Sequence, residues 1–181
     1  MATGDLTTLA KFKAWAGVTA NSDDALIADA VTAVSEAVKS YISRDILQAS
    51  YVETRNGHGG PVMISRQNPI TAVASLSVDG SDIPFATGYK FDNRRVYMLN
   101  GRVFTRDVQN VVITYTAGYA TVPTDIQQAL HEWLSIIYKE RERVGYSSKT
   151  LGGESVAFDI KEMPKRVTLY LEPWIRVVPT R

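Results

Sequence analysis

Residues 111–134 read VVITYTAGYATVPTDIQQALHEWL. The first five are β-branched or aromatic, the side chains that suit a pleated strand. From Thr124 the apolar residues change spacing, and Ile126, Ala129, Leu130, Trp133, Leu134 and Ile137 mark one face of a helix. Pro123 or Thr124 opens that helix and Asp125 complements its first turn. Strand, glycine and helix is also the order of a phosphate-binding loop. Such a loop needs several glycines with converging amides, and usually a lysine and a hydroxyl after them. Here Gly118 stands alone, Pro123 lacks an amide hydrogen, and neither lysine nor arginine occurs between residues 107 and 138. The junction therefore reads as a connector, with Gly118 as the turn that lets the chain leave a sheet.

Upstream of the junction, residues 50–115 are rich in Val, Ile, Thr and Tyr and are broken by Asn56-Gly57, Asn68-Pro69, Asp79-Gly80, Asp92-Asn93 and Asn100-Gly101. These pairs supply the positive or fixed φ that tight turns require. Between them lie YVETR, VMIS, AVASLSV, YKFD, RVYML and NVVITY, which together describe a small antiparallel module of about six strands.

Both flanks are helical. Leu6, Leu9, Phe12 and Ala16 share one side of a short helix over residues 5–16 that Gly17 ends. Ser22 reads as the cap of a second helix, with Asp23 and Asp24 in its first turn. Ile27, Ala30, Val31, Val34, Val38, Tyr41 and Ile42 carry its apolar face, and it ends near Asp45. The third helix closes in the charge run KERER, a solvated last turn. Residues 146–160 read as a long loop, and Pro164 starts a short helix that Pro173 stops. The expected fold class is α+β. A helical bundle of residues 1–49 and 123–171 carries an inserted antiparallel β module at 50–122, and residues 172–181 form a docking tail.

The 181 residues are 45% apolar and 22% charged, a globular composition. The formal net charge of +1 predicts no avid binding to nucleic acid or to a membrane. Charge is uneven, however. Residues 1–49 hold four Lys/Arg against six Asp/Glu, and residues 161–181 hold five against two. An acidic front and a basic end can attract each other between copies. No cysteine occurs, so disulfide and thiolate chemistry are excluded. No apolar run approaches the roughly 20 residues needed to span a bilayer, and the N-terminus lacks signal-peptide regions. A soluble product of the cytoplasm is the expectation.

Catalytic patterns are weak. His131 begins HEWLS, without the second histidine of a zinc-protease helix, and is placed at the surface beside the apolar stripe. His58 lies in NGHGG, a hairpin tip and a possible contact point, as is RQNP. No histidine–carboxylate cluster marks a metal site, and no catalytic residue, metal or cofactor is expected. The segment EPWIRVVPTR does carry a signal. Trp174, Ile175, Val177 and Val178 follow a helix-breaking proline, so they must dock either on their own subunit or on a neighbour.

Taken together, DDALIADAVTAVSEAVKSYISRDI, NGHGGPVMISRQNPITAVASLSVDG and ITYTAGYATVPTDIQQALHEWLSIIYKERE resemble the head–tail connector (adaptor, or head-completion) proteins of long-tailed bacteriophages, in the longer form with a β insertion. A PW before the terminal arginines adds to the likeness. The resemblance implies a ring of identical subunits, dodecameric in the virion neck, beneath the portal protein. It would lengthen the DNA channel without reading sequence, and offer a platform to a stopper or tail-terminator protein. It makes Trp174, Ile175, Arg176, Val177, Val178 and Arg181 the candidate docking arm. Lys139, Arg141, Arg143 and Lys149 become candidate lumen or ring contacts. Another neck component, a stopper or tail terminator, is the rival within this class. A small nucleotide- or sugar-binding enzyme using the β module is the rival outside it.

Overall fold

The computed structural model describes residues 4–141, 148–151, 154–157 and 163–176. It is an α+β protein, with four helices and small antiparallel sheets. The chain divides into two compact units, residues 1–44 with 122–181, and residues 45–121.

The first unit holds α1 (Leu9–Ala16), α2 (Asp24–Ile42), α3 (Thr124–Glu140) and α4 (Lys165–Leu171). Helix α1 starts later than residue 5 because the Thr8 hydroxyl accepts the Lys11 amide. Gly17, left-handed at φ 69°, ends it. Leu6 is buried ahead of the helix, its amide held by Ser35 Oγ at 3.0 Å. Ser22 does not cap α2. Its hydroxyl donates to Asp23, and Asp23 occupies the cap position with no side-chain bond to a helix amide. The Asp23 carboxylate instead accepts from Tyr138 and pairs with Arg141, two partners that outcompete an amide. Helix α2 buries Ile27, Val31, Val34, Ser35, Val38 and Ile42, the last of them three residues before the expected end near Asp45, and the chain leaves at Ser43 in a left-handed conformation.

Helix α3 packs against α1, α2 and α4. Three neighbours widen its buried face beyond a simple stripe, so Ile126, Ala129, Leu130 and Leu134 are joined by His131. His131, expected at the surface, is only 7% exposed. The expected stripe members Trp133 and Ile137 are half-buried.

The second unit holds β1 (Ala49–Arg55), β2 (Val62–Ile64), β3 (Ile70–Val78), β4 (Ser81–Asp82), β5 (Tyr89–Phe91), β6 (Arg95–Met98) and β7 (Val111–Ala117). Its four-stranded sheet has the order β1-β7-β3-β4, and a three-stranded sheet has the order β2-β6-β5. All pairings are antiparallel, with irregularities in β3 between Ile70 and Ala72 and between Val73 and Ser75. The central strand β7 alternates as its sequence dictates: Val111, Ile113, Tyr115 and Ala117 are buried, and the residues between them are half-buried. Both sheets share one core, in which these residues meet Leu76, Tyr89, Val96 and Phe104.

A third small sheet pairs β8 (Ser148–Leu151) with β9 (Glu154–Ala157), Leu151 opposite Glu154. The segment read as a loop at 146–160 is therefore a hairpin over these eight residues. Gly152-Gly153 between two β-capable runs was its signal.

Candidate interaction surfaces

At the opening junction, Gly118 takes φ 112° and its amide donates to the Pro69 carbonyl. The next residue, Tyr119, forms a parallel bridge with Leu47, so the outgoing chain crosses the incoming one. A Cβ on Gly118 would lie 2.6 Å from the Leu47 carbonyl oxygen. Glycine is required here by close backbone approach, and its amide is spent inside the sheet. Nothing converges for a phosphate.

The C-terminal segment is rooted on its own unit. Glu172–Trp174 forms a 3-10 turn after α4. Trp174 Nε1 donates to Asp125 Oδ2 at 2.9 Å, and the Arg176 amide donates to the Ile42 carbonyl at 3.0 Å. Asp125, expected only to complement the helix start, is thus also a side-chain acceptor. Ile175 beside this anchor is 37% exposed. Val177, Val178 and Arg181 lie outside the described residues, as does Arg143, and of the β8 residue Lys149 only the strand position is described.

The end of α3 is also tied down. Arg141 stacks over the Tyr138 ring at 4.0 Å, donates to the Tyr138 carbonyl, and pairs with Asp23 at 3.3 Å. The Tyr138 hydroxyl, and less strongly the Arg141 charge, hold the Asp23 carboxyl below its ordinary range. Lys139, one position before Glu140, is exposed.

His58 is exposed at its tip and lies against Phe104, ring centroids 6.0 Å apart. The RQNP tip is held more firmly. Glu53, 7% exposed, accepts the Tyr115 hydroxyl and the Arg66 amide (2.9 Å), and pairs with Arg55. Tyr115 in turn accepts the Gln67 amide at 3.0 Å. Burial first, then the bond to Glu53, pushes the Tyr115 hydroxyl above its ordinary range. A buried carboxylate and a buried phenol thus fix the RQNP loop.

Two features escaped the sequence reading. Trp15 lies off the Leu6–Phe12–Ala16 line and is 44% exposed. It leans on His131, centroids 5.5 Å apart, and walls an open groove along α3. His131 is hydrogen-bonded to Thr7 Oγ1 at 2.8 Å, and burial, then the Lys11 charge, lowers its pKa. Heptad-style reading of α3 alone could not reveal either, because the neighbouring segment that covers His131 is 124 residues away.

Among the described residues no three His, Cys, Asp or Glu side chains gather as a metal site, and no helix is long and apolar enough to cross a membrane. What the described surface does offer is contact faces, at the Trp15 groove and at Ile175, the features of a structural assembly protein.

Residues 5–177 match the family described as head completion protein, and the chain belongs to that family. Comparison with curated proteins gives no match. Among solved structures, the fold is similar to a chain in the neck of an empty GTA particle computed with C6 symmetry (TM-score 0.63, 19% identity, covering 100% of this chain and 96% of that one). A chain of the virion of a native gene transfer agent (GTA) particle gives a TM-score of 0.65 at 19% identity, covering 99% and 94%. A third, from the neck of a native GTA particle computed with C12 symmetry, gives 0.60 at 21% identity and full coverage of both chains.

Proposed function

We propose that this head completion protein is the head–tail connector of a tailed bacteriophage or related particle, a ring-forming subunit of the virion neck that extends the DNA channel beneath the portal protein and carries the stopper or tail. One observation carries the reading: the family match runs over residues 5–177 and so includes both the helical unit and the β unit. The neck chains with the same fold come from assemblies computed with six- and twelve-fold symmetry, which supports a ring and favours twelve copies. The role is structural, without a catalytic step.

Within that role, the segment beyond Trp174 is the arm that docks on the portal protein or on a neighbouring subunit. Its root is fixed by Asp125 and Ile42, which hold Trp174 and Arg176. Lys139 is the better candidate of the α3 cations for a lumen or ring contact, since Arg141 is engaged by Asp23 and Tyr138. A near-neutral chain suits a conduit, because each phosphate neutralised would tighten DNA binding and hinder sliding.

Cryo-electron microscopy of intact particles tests this. A ring of this chain directly below the portal is expected. Density for the chain further down, at a stopper or terminator position, would overturn the adaptor assignment within the neck.

A further inference from the structure

We infer that the groove along α3 is the receiving half of the ring contact, and that its occupant is the outer face of α2 from a second copy of this chain. The inference rests on the ring reading above and assigns its two surfaces.

The groove consists of two adjoining hollows of about 470 and 310 Å³ that share Trp15 and Ser135. Its floor is the solvent side of α3, from Gln128 through Glu132, Ser135 and Ile136 to Lys139. These positions step by three and four residues, so the floor is a straight helical ridge of roughly 16 Å at 1.5 Å per residue. Trp15 forms one wall, with Pro164 and Val167 in the other. A partly exposed tryptophan beside an exposed isoleucine in a concave site is the usual anchor of a helix-binding groove.

Helix α2 offers the complementary shape. Its exposed residues Ala25, Leu26, Asp29, Ala33, Glu36 and Ser40 fall within one arc opposite the buried face. Leu26, 48% exposed, is a knob, and Ala33 lets a second backbone come close. Charge matches too. The groove carries Lys139 and Arg166 against Glu132, which already pairs with Arg166 at 3.2 Å, and exposed Lys11 and Lys165 stand beside it. The α2 face carries Asp29 and Glu36, with Glu36 bound to Lys39 of its own helix. A closed ring requires two different faces on each subunit, and both of these lie on the one helical unit.

The natural chain has no cysteine, which makes the test clean. Ala33→Cys and Ser135→Cys are introduced together in the full-length protein, which is concentrated and oxidised. A parallel sample of the natural chain is treated with an amine-reactive cross-linker. A covalent ladder in both is expected, with each single-cysteine variant stopping at dimer. Trp15→Ala and, separately, Leu26→Asp are expected to raise the self-association constant for dissociation about tenfold or more. An amine-linked ladder with no disulfide ladder would overturn these faces and leave the ring standing. No ladder with either reagent would overturn the ring and this assignment together.

Discussion

The buried carboxylate of Glu53 offers the sharpest test of how the β unit fixes its exposed tip. Replacing it by alanine leaves the Tyr115 hydroxyl, on a fully buried ring, with no acceptor for its proton. An unsatisfied buried donor is worth about 1–3 kcal/mol. The Arg66 amide belongs to an exposed residue, so water replaces Glu53 there at little loss. The Arg55 pair is about one-third exposed on the arginine side and adds ~1 kcal/mol at most. Relief of carboxylate desolvation offsets part of the total, and Glu53→Ala should destabilise the β unit by about 2 kcal/mol. Glu53→Gln keeps an acceptor for both partners and should lose less than about 1 kcal/mol. All three tryptophans, at 15, 133 and 174, lie in the helical unit, so indole fluorescence follows that unit alone. Urea unfolding of the full chain followed by far-ultraviolet circular dichroism, beside fluorescence, would separate the units. Hydrogen exchange at the Arg66 and Gln67 amides reads the loop directly. An unchanged circular dichroism transition in Glu53→Ala, or equal damage from the glutamine, would refute the reasoning.

Other consequences are as direct. His131 is neutral and buried, its pKa below the ordinary 6.5, so the unfolded chain takes up the proton first. Stability of the helical unit should be full above about pH 6.5, fall as the pH drops below that value, and level off once the folded state also protonates. His131→Gln should flatten this profile in tryptophan-detected melts. Gly118→Ala combines a left-handed backbone with a contact on Leu47 that cannot yield, and should destabilise the β unit by about 2–5 kcal/mol in denaturant titration. On the docking-arm proposal, removing residues 177–181 should weaken portal attachment in a pull-down, with the melting temperature measured beside it. Cutting at 172 should lower both, because it also removes the Trp174–Asp125 and Arg176–Ile42 bonds.

What the sequence disclosed depended on how local each signal is. The β7–α3 junction was legible because Gly118, Pro123 and the change of period sit within 24 residues, and the strands of the β unit were legible from turn dipeptides between them. The partition of those strands into two sheets was not, since β1 finds β7 some 60 residues later by register alone. His131 illustrates the same limit. Its helix places it off the apolar stripe, and only Thr7, Phe12 and Trp15 arriving from the far end of the chain bury it. Trp15 falls off the Leu6, Leu9, Phe12 and Ala16 side of α1, and that position alone does not tell that it lies against His131 of α3. The pairing of β8 with β9 had a local signal, Gly152-Gly153 between two β-capable runs.

Perturbed ionisable groups often point to a reactive site, and five of them here have an architectural cause. Asp23 is held down by Tyr138 and Arg141, which tie the start of α2 to the end of α3. Thr105 and then Asn110 do the same for Asp79, closing loops of the β unit on each other. Tyr97, with the backbone amides of Arg94 and Arg95, holds Asp92 at a turn. Tyr115 and His131 are shifted chiefly by burial, one in each unit. These groups are dispersed, and each is saturated by a neighbour that fixes backbone. Here these polar contacts tie down backbone within each of the two units. That distribution accords with a head completion protein, a part that must keep its shape within an assembly.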